Sequence, residues 1–502
     1  MQTTIRRRRL PALSILSLAL LGALSMPASA DNPCLVWDPV TSTWVEDPAL
    51  DNRDNGAESG YNNTTCYGSS SAFGQHNNAS GLMSNAFGRM NLAAGEGSSA
   101  FGHVNNAMGA YSSAFGYGNT ARGEYSAAFG ILGSATGTGS LAVSGWYDLD
   151  GDGVADANET ASAQGAGSVA VGWGTASGIF SSAVGVDNTA QGAGSVAFGN
   201  GNTATGFNSN AFGLKGLASG LRSLAISTWY DLDGDGVFDA DEGATAAGVS
   251  SVAVGAAVRA IGPNATAVGV KNVAGNDRSS AVGYDNVASG IFGSAFGNGN
   301  TASGSFSGAF GRGNEATGNS ASAFGSNNRA EGDGSSAVGF ANTATGENGS
   351  AIGQGNTASG FWSSAIGNHG AATGVGSLAV SAWTDLDGDN TLDGNEIARA
   401  EGKASIAIGS GVASGQFSSV VGVDNTASGA RSNAFGSKNT GSGQDSNAFG
   451  RGNTASSAWT SAFGFFNTAS RDGSSAFGYI NTASGLYSSA FGNSNVASGD
   501  RS

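Results

Sequence analysis

Three segments of the chain carry carboxylates at one fixed spacing. They read WYDLDGDGVADANE at 146–159, WYDLDGDGVFDADE at 229–242 and WTDLDGDNTLDGNE at 383–396. In each segment, carboxylates occupy positions 1, 3, 5, 9 and 12 of a 12-residue loop, and a backbone carbonyl would supply position 7. Oxygen donors at this spacing favour Ca²⁺. Because the carboxylate positions are kept three times, the sequence predicts three calcium sites.

The predicted ligands follow the same positions in every loop. They are Asp148, Asp150, Asp152, Val154, Asp156 and Glu159 in the first loop, Asp231, Asp233, Asp235, Val237, Asp239 and Glu242 in the second, and Asp385, Asp387, Asp389, Thr391, Asp393 and Glu396 in the third. Position 6 needs a positive φ, and the residue types there, Gly153, Gly236 and Asn390, allow it. The alternative interpretation is a solvated acidic excursion that holds no ion.

The loops are similar to EF-hand loops in spacing but differ in context. A strand pattern, SLAVSGWY or SLAISTWY, precedes them where an EF-hand has an amphipathic helix. This context favours a structural brace over a sensor that opens a helix pair. A Trp stands two residues before each loop, at Trp146, Trp229 and Trp383. We predict that these Trp residues pack against the loop and can sensitise bound terbium.

The element that must position the loops is a 14-residue repeat, clearest in SAFGYINTASGLYS. We call the large apolar residue before the first Gly of each unit the marker, and number the other positions from it. Markers run from Phe73 to Phe491. Apolar residues alternate within the unit, and Gly follows the marker at +1 and recurs at +8. Alternation predicts strands and Gly predicts turns.

Each unit is therefore expected to form one coil of an all-β, parallel β-roll or β-solenoid. We expect the marker and Ala to point inward, and Thr at +5 and Ser at +7 to point outward. Asn at +4 recurs in most units and predicts a stacked hydrogen-bonded ladder. The alternative for this Asn row is an exposed carbohydrate-binding surface. So thin a coil is expected to bury an outer face by self-association.

The calcium segments preserve the repeat. Markers step by twice the repeat from Val143 to Val171, from Ile226 to Val254 and from Val380 to Ile408. Each cassette, at about 144–168, 227–251 and 381–405, therefore adds one coil length. After the first and third cassettes the next unit is one residue short, and the missing residue falls in the turn that normally holds Asn.

The N-terminal region predicts export. Residues 1–30 combine Arg6–Arg9, an apolar run and the small-residue site ASA, as a cleaved signal peptide does. Residues 31–70 form a predicted cap closed by a disulfide between Cys34 and Cys66, since the exported chain meets an oxidising environment. No later stretch is apolar enough for a membrane-spanning helix.

Composition and charge exclude several classes of protein. The chain has 85 Gly but only 6 Pro in 502 residues, which suits neither an ordinary globular domain nor collagen. Without the signal peptide, 17 Lys and Arg face 37 Asp and Glu, a formal net charge of −20, so nucleic acid is not an expected partner. The three His residues, His76, His103 and His369, fall in separate units. We predict no enzymatic activity.

Units such as SSAFGYGNTARGEYS and GSLAVSAW resemble the YadA-like head repeats of trimeric autotransporter adhesins. The resemblance covers residues 71–502. It implies a left-handed β-roll, a homotrimer, and a place at the cell surface, on the outer membrane or outside the cell. It further implies attachment to host extracellular matrix, cell-surface molecules or abiotic surfaces.

Family members usually continue into a neck, a coiled-coil stalk and a membrane barrel, whereas the sequence at hand shows no heptads. We therefore expect a truncated product or a released protein. A calcium-stabilised adhesin head is the leading hypothesis. The alternatives are a non-adhesive structural protein of a surface layer or biofilm matrix and, ranked last, an ice-binding solenoid.

Overall fold

The computed structural model describes residues 35–38, 43–46, 56–146, 148, 152, 155–156, 159–383, 385–393 and 396–502. The predicted signal peptide, Cys34, Asp150 and Val154 lie outside these residues, as do Gly153 and the adjoining loop positions. All helix and strand assignments in the described residues are β-strands, which confirms the all-β class. Among those residues, no helix has the length and apolarity needed to cross a membrane.

A hairpin precedes the repeats. Strand β1 (Leu35–Asp38) pairs antiparallel with β2 (Thr43–Glu46). The chain then divides into two compact units, Met1–Ala155 with Thr160–Gly167, and Asp156–Glu159 with Ser168–Ser502.

The strands of the first unit alternate between long and short along the chain. Strands β3 to β16 are, in order, Ala57–Tyr61, Thr64–Thr65, Ser71–Gln75, Asn78–Ala79, Asn85–Arg89, Leu92–Ala93, Ser99–His103, Asn106–Ala107, Ser113–Tyr117, Thr120–Ala121, Ala127–Ile131, Ser134–Ala135, Leu141–Ser144 and Ala161–Ala163.

The second unit repeats the alternation. Strands β17 to β56 are, in order, Val169–Ala176, Ser182–Ala190, Val196–Asn200, Thr203–Ala204, Asn210–Leu214, Leu217–Ala218, Leu224–Ser227, Thr245–Ala246, Val252–Ala256, Arg259–Ala260, Thr266–Val270, Val273–Ala274, Ser280–Tyr284, Val287–Ala288, Ser294–Asn298, Thr301–Ala302, Gly308–Arg312, Glu315–Ala316, Ser322–Ser326, Arg329–Ala330, Ser336–Phe340, Thr343–Ala344, Ser350–Gln354, Thr357–Ala358, Ser364–Asn368, Ala371–Ala372, Leu378–Ser381, Ala398–Ala400, Ile406–Ala413, Ser419–Ala427, Asn433–Ser437, Thr440–Gly441, Asn447–Arg451, Thr454–Ala455, Ser461–Phe465, Thr468–Ala469, Ser475–Tyr479, Thr482–Ala483, Ser489–Asn493 and Val496–Ala497.

Most coils contribute one long and one short strand, and like strands stack in parallel. In four coils the two strands are continuous: Val169–Ala176, Ser182–Ala190, Ile406–Ala413 and Ser419–Ala427. The long strand holding Phe310 pairs in register with the next, so that Phe310 lies opposite Phe324 and Gly311 opposite Gly325. The predicted parallel β-solenoid of 14-residue coils is confirmed. The one-residue deletion predicted after two cassettes appears as register shifts between Trp173 and Gly174 and between Gly409 and Gly411.

The core of each coil is made of small residues. In the coil of Phe310, the inward side chains are Ser307, Ala309, Asn314 and Ala316, all buried. The prediction for Ala was right, and that for the marker was wrong. Phe310 is only half-buried, and its ring stacks on that of Phe324 with centroids 4.8 Å apart. A 14-residue coil is too narrow for a Phe side chain, so the markers form a row on the outside.

Gly at +1 is required by both conformation and space. Gly311 has φ +121°, a region that residues with a side chain rarely adopt. A Cβ at this position would lie 2.0 Å from the carbonyl oxygen of Gly325 in the next coil. With this backbone conformation at 311, the two coils can therefore approach to strand spacing only with Gly at that residue.

The Asn row is a buried ladder. Asn314 Nδ2 donates to Oδ1 of Asn300 at 3.0 Å, and Asn328 Nδ2 donates in turn to Oδ1 of Asn314 at 3.0 Å. Asn314 Nδ2 also donates to the carbonyls of Phe310 and Gly325. The ladder prediction is confirmed, and burial of these side chains rules out the carbohydrate-binding alternative for this row.

Candidate functional site

Each acidic cassette joins the coil at the same kind of splice. In the second cassette, Ser227 replaces the Gly at +1, and its Oγ accepts a hydrogen bond from Ala244 N at 2.9 Å. Ser144 and Ser381 accept the corresponding bonds from Ala161 N and Ala398 N in the other cassettes. The acidic excursion therefore leaves the coil at Ser227 and rejoins it at Ala244, two residues that are hydrogen-bonded to each other. The next coil stacks in register, with Leu224 opposite Val252.

The coil before each cassette carries Gly in place of the ladder Asn. Gly216 N donates to Asn202 Oδ1 at 2.8 Å, and this bond ends the ladder. A Cβ on Gly216 would lie 3.0 Å from Ser227 Cβ and 3.1 Å from Asn202 Oδ1. We did not predict this feature. Its signal is a Gly that stands 11 residues before the splice Ser in all three cassettes.

The second loop folds around its own carboxylates. Both oxygens of Asp231 accept backbone N–H bonds, from Gly234 at 2.7 Å and from Gly236 at 3.0 Å. Asp235 Oδ1 accepts from Val237 N at 2.7 Å. Position 6, Gly236, has φ +72°, as the spacing predicts. These bonds turn the loop so that its acidic side chains face one another.

Five predicted carboxylates of this loop converge. Ligand oxygens of Asp231, Asp233 and Glu242 lie within 4.8 Å of one another, and so do those of Asp233, Asp235 and Asp239. Asp233 belongs to both groups and links them. Val237 is exposed, which suits a residue that contributes only its carbonyl.

Glu242, at position 12, is the anchor of the loop. It is buried, and its Oε1 accepts from Leu232 N at 2.5 Å while its Oε2 accepts from Asp239 N and from Trp229 Nε1, each at 2.9 Å. The backbone bonds from Asp239 and Leu232 hold the pKa of Glu242 below its ordinary value. A buried, ionised carboxylate at this position is the ligand that a bidentate calcium contact requires.

The pKa of the neighbouring carboxylate at position 9, Asp239, is shifted in the opposite direction. Partial desolvation by the surrounding loop, followed by the negative charges of Asp233 and Asp235, raises the pKa of Asp239. Like charges at close range disfavour one another's ionised form, and a divalent cation among them would remove that penalty.

The third loop repeats the arrangement. Asp385 accepts from Gly388 N at 2.6 Å and from Asn390 N at 3.2 Å, and Asn390 has φ +57°. Oxygens of Asp385, Asp387 and Glu396 converge within 4.8 Å. Glu396 is buried and accepts from Leu386 N and Trp383 Nε1. Asp389, which accepts from Thr391, and Asp393 are not part of that group.

The described part of the first loop agrees with the other two at position 12. Glu159 is buried, and its Oε2 accepts from Asp156 N at 3.2 Å. Asp150 and Val154 lie outside the described residues, so the full ligand set of this loop remains a prediction.

The Trp before the second and the third loop has a role that we did not predict. We expected packing, whereas the indoles of Trp229 and Trp383 donate hydrogen bonds to Glu242 and Glu396. The second loop is also held from the coil side, because Lys215 Nζ lies 4.7 Å from the ring centroid of Phe238. Together these contacts tie the loop to the rigid stack.

Other sites predicted from sequence are placed apart from the loops. Cys66 is buried and disulfide-bonded, while Cys34 lies outside the described residues. His76, His103 and His369 occupy three separate coils. A surface feature that repeats is the marker row, such as Phe296, Phe310 and Phe324, whose rings stack at 5.3 and 4.8 Å.

The repeat itself has known relatives. A family model described as the YadA head domain repeat matches residues 107–131, 176–202, 260–286, 316–342, 344–369, 413–439, 460–479 and 483–502. No curated protein matches the chain.

Proposed function

We propose that this chain, whose repeats are YadA-like head repeats of trimeric autotransporter adhesins, is an exported homotrimeric head that attaches cells to host or abiotic surfaces and is stabilised by calcium. The match to the YadA head repeat supports, in general terms, an adhesin-like role and a surface-exposed location. Attachment, the trimer of this chain and its calcium ions are our inferences.

The observation that carries the trimer is the marker row. Its Phe, Val and Ile side chains form a continuous apolar strip along each unit, only partly covered by the chain itself. Apolar strips of this extent mark interfaces between proteins. Burying the open half of each Phe would contribute about 1 kcal/mol per coil, and in a stack of coils this sum favours self-association along their length. The number of three copies is taken from the YadA-like repeats.

Calcium is supported by the donor set. Carboxylate oxygens converge in the second and third loops, a buried Glu closes each loop, and position 6 has a positive φ in both. Hard oxygen ligands of this kind suit Ca²⁺. The ion would neutralise the carboxylates and stiffen the excursion, so that each cassette projects from the coil as a fixed element.

The trimer is tested by sedimentation of residues 31–502 in calcium and in EDTA. We expect a trimer in calcium, and a monomer for a variant with Phe296, Phe310 and Phe324 each replaced by Asp. The matched control replaces Phe292 and Phe306 by Asp; these lie in the same region but on a turn, where Asp445 already occupies the equivalent position. Loss of the trimer in both variants, or in neither, would contradict an interface on the marker row.

Attachment is tested by binding of the trimer to matrix proteins, cultured cells and glass. Binding to any of these supports an adhesin. Concentration-dependent filaments without surface binding would favour the structural alternative, and thermal hysteresis would favour ice binding.

A further inference from the structure

The second turn of each coil exposes large aromatic residues. Four positions before the marker, every described coil from that of Phe87 onward has a positive φ, and nine coils carry an aromatic side chain there. Trp362 is the largest type found at this position, with φ +56° and 63% of its surface exposed. Residues other than Gly, Asn and Asp rarely adopt this conformation. An exposed aromatic ring at a backbone position that disfavours side chains contributes nothing to the core. We therefore look for its role in a contact with another molecule.

Four of these aromatic residues stand beside a carboxylate. The backbone N–H of Trp362 donates to the carbonyl of Glu347 at 2.9 Å, and Phe292 makes the same bond to Asp277. The pairs of Tyr111 with Glu96 and of Tyr487 with Asp472 repeat it. The coil geometry therefore sets an aromatic ring and an acidic residue next to each other on the surface.

One of the four pairs already holds a cation. The guanidinium carbon of Arg278 lies 4.9 Å from the ring centroid of Phe292, and its Nη1 lies 3.6 Å from Asp277 Oδ2. A cation over an aromatic face and beside a carboxylate gains from both. The fold thus shows, within its own chain, which chemical group this arrangement accepts.

Two further pairs are occupied by the chain as well. Glu96 accepts the hydroxyl of Tyr111 at 3.0 Å, and Asp472 accepts Ala458 N at 3.2 Å. Among the described residues, the carboxylate of Glu347 has no hydrogen bond or ion pair. Phe361 extends the apolar side of this pair, with its ring centroid 4.7 Å from that of Trp362.

The charge around Glu347 favours a positive partner. Residues 331–384, which end before the third acidic loop, contain no Lys or Arg and three Asp or Glu residues, Glu331, Asp333 and Glu347. A cationic segment approaching this part of the coil therefore meets attraction without a competing base of the chain.

We propose that Glu347, Phe361 and Trp362 form a docking site for an Arg or Lys side chain of a basic polypeptide segment. If the chain is an adhesin head, this site would bind partner proteins that carry exposed basic segments. The inference therefore rests on the proposed function. The cation would lie over the Trp362 indole and beside the Glu347 carboxylate, as Arg278 lies at Phe292 and Asp277.

The test measures binding of a fluorescent octa-arginine peptide to the mature chain in calcium, at several salt concentrations. We compare the variants Trp362→Gly and Glu347→Gln. Gly334 and Gly376 occupy the position of Trp362 in the adjacent coils, so the Gly variant is compatible with the backbone. We expect each variant to weaken binding by about fivefold or more, from loss of the cation–π contact or of the charge.

Phe417→Gly is the matched control. Phe417 has the same turn position and a similar exposure, but its backbone N–H donates to Lys403, a base, so no carboxylate stands beside it. We expect this variant to bind the peptide as the wild type does. Unchanged melting temperatures for all three variants show that the coil is intact.

Three results would overturn the proposal. These are equal binding by wild type and Trp362→Gly, equal loss in Phe417→Gly, and binding of neutral oligosaccharides that needs Trp362 but not Glu347. Surface attachment of the wild type is measured in parallel. Attachment with no effect of Trp362→Gly on the peptide defeats this inference alone, whereas peptide binding without attachment defeats the adhesin role and leaves the site.

Discussion

The indole Nε1 of Trp229 lies 2.9 Å from Oε2 of Glu242 and donates a hydrogen bond to it. The two residues stand just before and at the end of the second acidic loop. The bond therefore orients Glu242, the last predicted ligand of the loop, and its donor is a residue on the side of the cassette that adjoins the coil. Trp383 and Glu396 repeat the contact at 3.2 Å.

Replacement of Trp229 by Phe should weaken calcium binding at the second loop. The ring volume is largely kept, but Glu242 loses the donor that orients it, and loss of such an orienting bond typically costs about 10-fold in metal affinity. Calorimetric titration of the mature chain with calcium measures the change. The control is Trp459→Phe, since Trp459 lies on a coil turn away from the loops; an equal loss there would contradict a specific role for Trp229.

Asp231→Asn combined with Asp233→Asn should abolish terbium binding at the second loop. The two carboxylates supply positions 1 and 3, and Asp233 belongs to both convergent groups of the loop. Terbium luminescence excited through Trp should fall by about one third if three loops contribute equally. No Trp-sensitised signal in the wild type beyond that of a variant altered in all three loops would contradict the calcium sites.

Asn314→Ala should destabilise the coil strongly. The change removes three side-chain donor contacts and leaves the buried carbonyls of Phe310 and Gly325 without them, which costs about 2–4 kcal/mol in the free energy of unfolding. Asn495→Ala is the control, because Asn495 is exposed at the last described coil. Urea denaturation compares the two, and similar small losses would contradict the structural importance of the ladder.

Gly311→Ala and Gly313→Ala should differ sharply, although the two residues share one turn. A Cβ at 311 meets the backbone oxygen of Gly325 at 2.0 Å, whereas a Cβ at 313 meets only the movable side chain of Asn327. We expect about 3 kcal/mol or more for the first and about 1 kcal/mol or less for the second. Thermal unfolding followed by circular dichroism distinguishes them, and equal effects would show that the coils can separate locally.

Asp445 should make the stability of the coil depend on acid pH. Arg431 Nε and Nη2 donate to its two carboxylate oxygens at 2.5 and 2.7 Å, and these bonds hold the pKa of Asp445 below its ordinary value. The stabilisation is complete above the ordinary pKa, about 3.9, and is lost as the pH falls through the lowered value. The difference in melting temperature between wild type and Asp445→Asn should therefore shrink towards acid pH. A constant difference would contradict the ion pair.

The coil could be predicted because its period is visible in the residue types. Gly at +1 and +8 and the alternation between them leave few folds that accept a 14-residue unit. The direction of the marker could not be predicted in the same way, because Phe310 and Ala309 are both apolar and alternation does not say which faces inward. The distance between facing strands decides it, and that distance admits Ala and not Phe.

The acidic loops were predictable in position and spacing, but their attachment was not. The hydrogen bond from Trp229 to Glu242 depends on how the excursion folds back, which no spacing reveals. The splice at Ser227 and Gly216 joins two residues of neighbouring coils, and its meaning appears only when the coils are stacked. Both features use residue types that elsewhere in the chain have other roles.

The shared splice has a consequence for how such chains change in length. Gly133 with Ser144, Gly216 with Ser227 and Gly370 with Ser381 form the same joint, and the ladder of Asn ends at the Gly of each. Every run of coils between joints is thus closed at one end by the same hydrogen bond, from the Gly N–H to Oδ1 of the last ladder Asn. Unequal recombination can delete or duplicate whole coils within a run and leave each joint intact, so the spacing between the acidic loops is free to evolve in steps of one coil.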